Sequence, residues 1–545
     1  RLQSDPNMWV PFGQMAGLVL KNALLRPPIQ PNGKSLILDT VVANQVKETL
    51  LFGLSMNHPE LRNVISSIVA TCSVSADGVQ PYMHISRWPQ LMPALLHHLQ
   101  PNNAGNANAL QGTLSTVKKI MEDGPREIPS TYLDAVVPPL LHFFRSNDET
   151  VKVAALQSLA ACLASGLVPN SLVVHFSDYL QGLSQLATDP SVHVRKWVCR
   201  SINTLLEYHT QYIAPQLPSI CQFMLQSTIL QTASQSDNES VAMEACEFWL
   251  LFATIDEAVL TSQMVETVEQ LLPQLIPVLL NNMVYSAEQR LDLEVRNEQD
   301  LEEPSQQNMR PVFHRTRRKH DGQSPGDDDD EGGVDDDDDD FDDDDNEWTL
   351  RKYAGASLDS LANLYGAGPI LPSLLPSLQQ GLSSSDPWIQ EASILALGAI
   401  ADGCREEMSS HMGELYPYLM NLLATPETPQ NLPQVKCICA WTVGRYATWA
   451  VEQVQTGAQG HLLAHMTEVF LQRLQDRNRR VQVACGSGFG VLIETAGDLM
   501  APYLEHIYPA LVSAMSRYQG RSLIILFDTL GIMADYCGPA IGEND

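Results

Sequence analysis

A polar turn followed by a helix start recurs along the chain, as Asp148-Glu-Thr-Val151, Asp189-Pro-Ser-Val192, Asn238-Glu-Ser-Val241, Asn346-Glu-Trp348, Asp386-Pro-Trp388, Gln434-Val435 and Arg480-Val481. Between the aligned Val or Trp positions the spacings are 41, 49, 107, 40, 47 and 46 residues. All but one match the period of a helix-pair repeat. A copy at His58-Pro-Glu-Leu61-Arg extends the series towards the N-terminus. The spacing of 107 reads as one repeat plus an insertion of about 60 residues.

Inside each unit the apolar residues keep helical spacing, as at Val151, Ala154, Leu156, Leu159 and Leu163, where they form one stripe. Asp or Asn at the turn is suited to cap the helix, since its side-chain oxygen can accept the free N–H groups of the first turn. The helix before each turn is also apolar, as at Val136, Val137, Leu140, Leu141, Phe143 and Phe144. Neither helix can bury its stripe alone, so neighbouring pairs must stack. The pattern predicts an all-α, HEAT-repeat superhelical solenoid. No alternating apolar and polar runs argue for a sheet.

The insertion changes composition abruptly. Between Asp327 and Asp345 there are 15 acidic residues in 19, Asp335 and Asp340 among them, interrupted only by Gly332, Gly333, Val334 and Phe341. Self-repulsion and the lack of apolar groups predict a disordered loop. A basic stretch with Arg310, Arg315, Arg317, Arg318 and Lys319 precedes it. A flexible segment of this length has a reach of ~40 to 45 Å, enough to sweep several repeats. The predicted organisation is therefore repeats over 1–284, a disordered insertion over 285–347 and further repeats over 348–545.

Charge narrows the function classes. Thirty-three basic against 64 acidic residues leave a net charge of -31, of which the acidic tract carries 15. That argues against direct binding of nucleic acid or an anionic membrane and favours basic partners. Ten scattered cysteines with no C-x-x-C pair predict a reducing compartment rather than a disulfide scaffold. No apolar run approaches the ~20 residues of a membrane span, and the start at Arg1 is unlike a signal peptide. The chain reads as soluble and as a fragment.

No residue pattern points to catalysis, a cofactor or a metal. Gly486-Ser-Gly488-Phe-Gly490 lacks the preceding strand and following Lys-Ser/Thr of a phosphate loop, so close helix packing is the better reading. Cys437 and Cys439, two apart on a helix, point in different directions and cannot share a metal without further ligands. Trp441 is ambiguous. With Ile438 three residues earlier it lies on one face, either as core or as an exposed aromatic platform.

The stretches Val241-Ala-Met-Glu-Ala-Cys-Glu-Phe-Trp249, Arg310-Pro-Val-Phe-His-Arg315, Trp348-Thr-Leu-Arg-Lys352, Leu397-Gly-Ala-Ile-Ala401 and Trp441-Thr-Val-Gly-Arg-Tyr446 strongly resemble the transportins. These are the karyopherin-beta2 branch of the importin-beta nuclear transport receptors. The resemblance covers almost the whole chain, and the acidic insertion falls where that family carries its own. It implies a shuttling import receptor of cytoplasm and nucleus, without enzymatic activity. Residues 1–284 would belong to an arch that binds GTP-loaded Ran, and residues 348–545 to a cargo-binding region. Cargo would carry a proline-tyrosine nuclear localisation signal, and nucleoporin FG repeats would be further partners. Gly17-Leu-Val-Leu-Lys-Asn22 resembles the family's second repeat, so the first is expected to be absent, and Asp545 falls short of the family's end.

Carried over residue by residue, the resemblance places the Pro-Tyr pocket on Ala356, Asp359, Leu395, Ile438 and Trp441. It places the site for an upstream Arg of the signal on Glu494, Asp528 and Asp535. Val491 stands where the family more often has a hydroxyl residue. The chemistry is consistent with the assignment, because a Pro-Tyr pair needs an apolar wall and an acceptor for the hydroxyl. Carboxylates in turn suit a guanidinium. Asp528 and Asp535, seven apart, share one face of a helix. Two other classes remain open: a passive HEAT scaffold for an enzyme complex, and a histone chaperone using the acidic tract.

Overall fold

A computed structural model describes residues 6–25, 38–74, 82–100, 106–229, 235–299, 348–428, 431–518 and 521–542. The acidic tract with Asp327, Asp335, Asp340 and Asp345, and the basic stretch before it, lie outside these residues. Among the described residues the fold is all-α, with one isolated bridge between Thr428 and Asn431 in place of any sheet. None of these helices is long and apolar enough to cross a membrane.

Two compact units divide the chain, Arg1–Leu271 and Leu272–Asp545. Each is a stack of antiparallel helix pairs of the HEAT type. In the first unit the second helices of successive pairs are Pro59–Val74, Ala107–Asp123, Glu149–Ala164, Val192–Tyr208 and Gln235–Ala253, packed side by side. In the second unit they are Leu350–Tyr365, Pro387–Ala399, Pro433–Arg445, Arg479–Ala496 and Arg521–Gly542. The stripe predicted on Glu149–Ala164 is buried at Val151, Leu156, Leu159 and Leu163, which makes it part of the shared core. Trp249 is fully buried in the same way, its Nε1 donating to Thr228 Oγ1 at 3.0 Å.

The turn chemistry follows the sequence at some pairs and departs from it at others. Asp148 accepts the Thr150 N–H at 2.9 Å, and Asp386 accepts that of Trp388 at 2.9 Å. At the next turn the cap is Ser191 rather than Asp189. Asp189 instead accepts from the Ser191 N–H at 2.9 Å and from Lys152 of the preceding pair at 2.5 Å. Asn238 lies inside its helix, which already runs from Gln235. Thr349 caps Leu350–Tyr365, a residue downstream of the expected helix start at Trp348.

One pair escaped the sequence pattern. Ala107–Asp123, capped by Asn106, fills the gap between the copies at Leu61 and Val151. Its cap is followed by Ala-Asn-Ala, so no bulky apolar residue marks the start.

The insertion separates the two helices of a single pair, Leu272–Asn282 and Leu350–Tyr365. Its first residues are not irregular as expected, since Ala287–Gln299 is a helix. Ser286 accepts from the Gln289 N–H at 3.2 Å while the Gln289 side chain accepts from the Ser286 N–H at 3.0 Å, a capping box legible as Ser-x-x-Gln. Asn297 then exchanges two amide hydrogen bonds with Gln434, at 2.9 and 3.1 Å.

Polar rungs tie neighbouring helix pairs together. Arg62 donates to Asn108 and Gln111, Asn203 to the Glu244 carbonyl, and Lys436, 1% exposed, pairs with Asp476 at 3.5 Å. Buried Arg351 pairs with Glu391 through both nitrogens, one at 2.8 Å, and also donates to the Met283 carbonyl at 2.6 Å. Such pairs fix the offset of one helix against the next, because a buried charge tolerates no slip away from its partner.

Candidate functional site

The row of second helices in the second unit carries every residue assigned to the candidate site. Ala356 and Asp359 lie three apart on Leu350–Tyr365, Leu395 lies on Pro387–Ala399, and Ile438 and Trp441 lie three apart on Pro433–Arg445. That spacing puts each pair on one face of its helix. Leu395 faces the first of these helices at Gly355, where an added Cβ would lie 3.7 Å from its Cδ2.

Trp441 settles its own ambiguity. It keeps 39% of its surface exposed, while the fully buried Trp249 and Trp88 fill core positions. Its ring rests directly on Gly398, where an added Cβ would come within 2.3 Å of Cζ3. Glycine at that position leaves room for the indole against the neighbouring helix, and at this exposure Trp441 is not a fully buried core residue.

Asp359 is not a bare acceptor. Arg445 Nη2 donates to both its oxygens, at 3.0 and 3.1 Å, and Asn363 donates to Oδ1 at 3.1 Å. The same nitrogen pairs with Asp402 at 3.1 Å, Arg445 Nε donates to the Gly398 carbonyl at 3.3 Å, and the guanidinium lies 5.7 Å from the Trp441 ring centroid. Burial pushes the Asp359 carboxyl above its usual range; Arg445 pulls it down and Asp402 adds to the rise. Arg445 and Asp402 are absent from the sequence-based site. Trp441 and Arg445, four residues apart on a helix, were the available signal; Asp402, on a turn of the preceding pair, left none.

The acidic residues assigned to the upstream Arg lie on two neighbouring helices. Glu494 is exposed on Arg479–Ala496, and Asp528 and Asp535 are exposed on Arg521–Gly542. Tyr536, also missed in the sequence, donates its O–H to Glu494 at 3.0 Å and so joins the two helices. Its phenol is raised first by that bond, then by the Glu494 charge, and least by Asp535. Val491 is exposed on Arg479–Ala496, and its Cβ would lie 3.9 Å from a Cβ added at Gly444.

The glycines of the Gly486–Gly490 run sit inside the helix Arg479–Ala496. A Cβ at Gly488 would come within 2.8 Å of the Ala440 carbonyl oxygen, and one at Gly486 within 2.7 Å of Ile525. They serve close helix approach.

Family models match two parts of the chain: a HEAT-like repeat over residues 387–446 and a PIK3R4-like middle domain over residues 110–285. Transportin-1 of Mus musculus is 35% identical over 98% of this chain, which covers 56% of that protein. Importin subunit beta-2 of Schizosaccharomyces pombe is 33% identical over 97% of the chain, again with 56% covered. The solved structure of yeast importin-beta (Kap95p) superposes with a TM-score of 0.71 at 18% identity, over 98% of this chain and 56% of that one. The chain thus spans somewhat over half the length of these relatives.

Proposed function

Starting from a chain homologous to the transportins, the karyopherin-beta2 branch of the importin-beta family, along nearly all of its own length, we propose that it is the receptor array of a nuclear import protein. It binds cargo bearing a proline-tyrosine nuclear localisation signal and releases it when GTP-loaded Ran binds. Importin-beta relatives solved with RanGDP and with Nup1 support Ran and FG-repeat nucleoporins as partners. The receptor shuttles between cytoplasm and nucleus and performs no chemistry.

The observation that carries the reading is the half-open Trp441, set on Gly398 beside Ile438 and within reach of Arg445, which holds Asp359. A proline ring can lie on the indole while a tyrosine directs its hydroxyl to the carboxylate. Glu494, Asp528 and Asp535 then receive the upstream Arg. The acidic tract couples Ran to cargo.

Titrating a labelled Pro-Tyr signal peptide into the protein, with and without GTP-loaded Ran, tests this reading. Binding that Ran weakens is expected. No binding to the peptide would return the chain to the class of passive scaffolds, and capture of basic proteins that ignores Trp441→Ala would favour a histone chaperone.

A further inference from the structure

We propose that the helix Ala287–Gln299 is a releasable strap, laid across the edge of the stack where first helices turn into second ones, and that it holds three successive second helices at one spacing. Those are the helices that carry Ala356 and Asp359, Leu395, and Ile438 and Trp441. The proposal concerns the spacing of that row and does not depend on what the row binds.

The strap is tied at two points whose register matches the stack. Near its start Arg290 pairs with Asp386 at 3.7 Å, and near its end Asn297 exchanges amide hydrogen bonds with Gln434. Asp386 caps Pro387–Ala399, and Gln434 lies in the first turn of Pro433–Arg445, the helix packed beside it. Arg290 and Asn297 are two helical turns apart on one face, ~10 Å along the axis. Packed helix axes are ~8 to 10 Å apart, so these two turns of the strap span one step of the stack. A third helix joins at the base. Arg290 Nε donates to the Tyr285 carbonyl at 2.9 Å, and its guanidinium lies 5.7 Å from the Trp388 ring centroid. Trp388 meets Tyr285 edge-on at 5.5 Å, and Arg351 of Leu350–Tyr365 lies 4.3 Å from the centre of the same Tyr285 ring.

Two further observations show that these ties, more than apolar packing, keep the strap in place. Leu291 and Val295, one turn apart, are 64% and 58% exposed, so they face solvent instead of the stack. A helix of 13 residues is marginal in water by itself and needs outside contacts to persist. The other observation lies at the receiving end. Thr349, Asp386 and Asn478 cap their helices with side chains, whereas Pro433–Arg445 starts at Leu432 with no side-chain cap. Its first turn offers the amide of Gln434 to the strap instead. A neutral amide pair contributes little net free energy, so this end can open while the base stays held. The strap leads directly into the insertion, and release at Gln434 therefore links the insertion to the spacing of the row.

Two measurements on the whole chain test the strap, each with wild type, Asn297→Ala, Gln434→Ala and the double variant. One is amide hydrogen exchange. The other is the distance between spin labels carried by unnatural residues at Gln274 and Glu414, exposed positions on the first helices of the first and third pairs. Asn297→Ala should speed exchange over 291–299 by roughly fivefold or more, as loss of a hydrogen-bonded pair allows, and should broaden the label distances. The double variant should go no further than either single one, because each removes the same tie. Gln434 is buried, so should its variant fail to fold, Asn297→Ala decides by both readouts. Unmoved exchange overturns the proposal. So does faster exchange with label distances unchanged, since the helix would then ride on the stack without setting its spacing. No ligand is added, so neither result bears on the receptor reading.

Discussion

Trp441 packs on Gly398 and keeps 39% of its surface exposed, so in the proposed pocket truncating it removes contact area from the ligand. Trp441→Ala should weaken a Pro-Tyr peptide by ~2 kcal/mol or more, roughly 30-fold, as anchor aromatics do. Its thermal melting should change far less than the ~3 to 5 kcal/mol of a core Trp. Calorimetric titration beside a melting curve checks both, and a large melting loss with unchanged affinity would restore the core reading. For the acidic residues of the site, Asp528→Asn with Asp535→Asn should weaken peptides that carry the upstream Arg and spare those with Ala there. Added salt should narrow the gap, since screening at 0.15 M acts over ~8 Å. Equal weakening of both peptides would reduce these acids to supports of the fold.

Between neighbouring helices, the polar rungs and the glycine contacts set the stacking. Glu391→Ala leaves the buried Arg351 guanidinium without its carboxylate, and the cost should be ~3 to 5 kcal/mol in denaturant unfolding. A loss under ~1 kcal/mol would mean that water or the Tyr285 ring, 4.3 Å away, takes over the charge. The Lys152–Asp189 rung predicts a pH dependence. Burial, the largest single influence, raises the Asp189 carboxyl, but the hydrogen bonds from Lys152 and Ser191 together with the charges of Lys152 and Arg195 outweigh it and the net shift is downward. A carboxylate depressed in the folded state stabilises fully above its unfolded value of ~3.9 and loses that contribution as pH falls through the folded value. Asp189→Asn should therefore be less stable than wild type at pH 7, with the difference closing in acid. Unfolding curves from neutral pH downward that stay parallel would show the rung to be neutral.

For the molecule as a whole, the proposed coupling must be reciprocal: what loosens cargo when Ran binds loosens Ran when cargo binds. Deleting 326–346 from the full-length protein should leave peptide affinity nearly unchanged without Ran and remove most of the antagonism with it. Undiminished displacement by Ran would make the tract a solvated spacer. The helix-pair architecture was legible beforehand because burial of a stripe on each helix imposes a period that survives in the order of apolar residues. Asp148 and Asp386 were legible as caps for the same local reason, since a cap and the N–H it accepts lie within one turn. Residue order could not locate the charged partner of Asp359, because Arg445 is 86 residues away and meets it only through the lateral offset of stacked pairs. Nor could it separate a buried Trp249 from an open Trp441, both on apolar helices. The sequence by itself determined the α-helical repeat and the charge of its insertion, through short-range periodicity and composition. Only the tertiary stacking decided which faces stay open and which carboxylates are already held, because both depend on contacts between helices that no local pattern encodes.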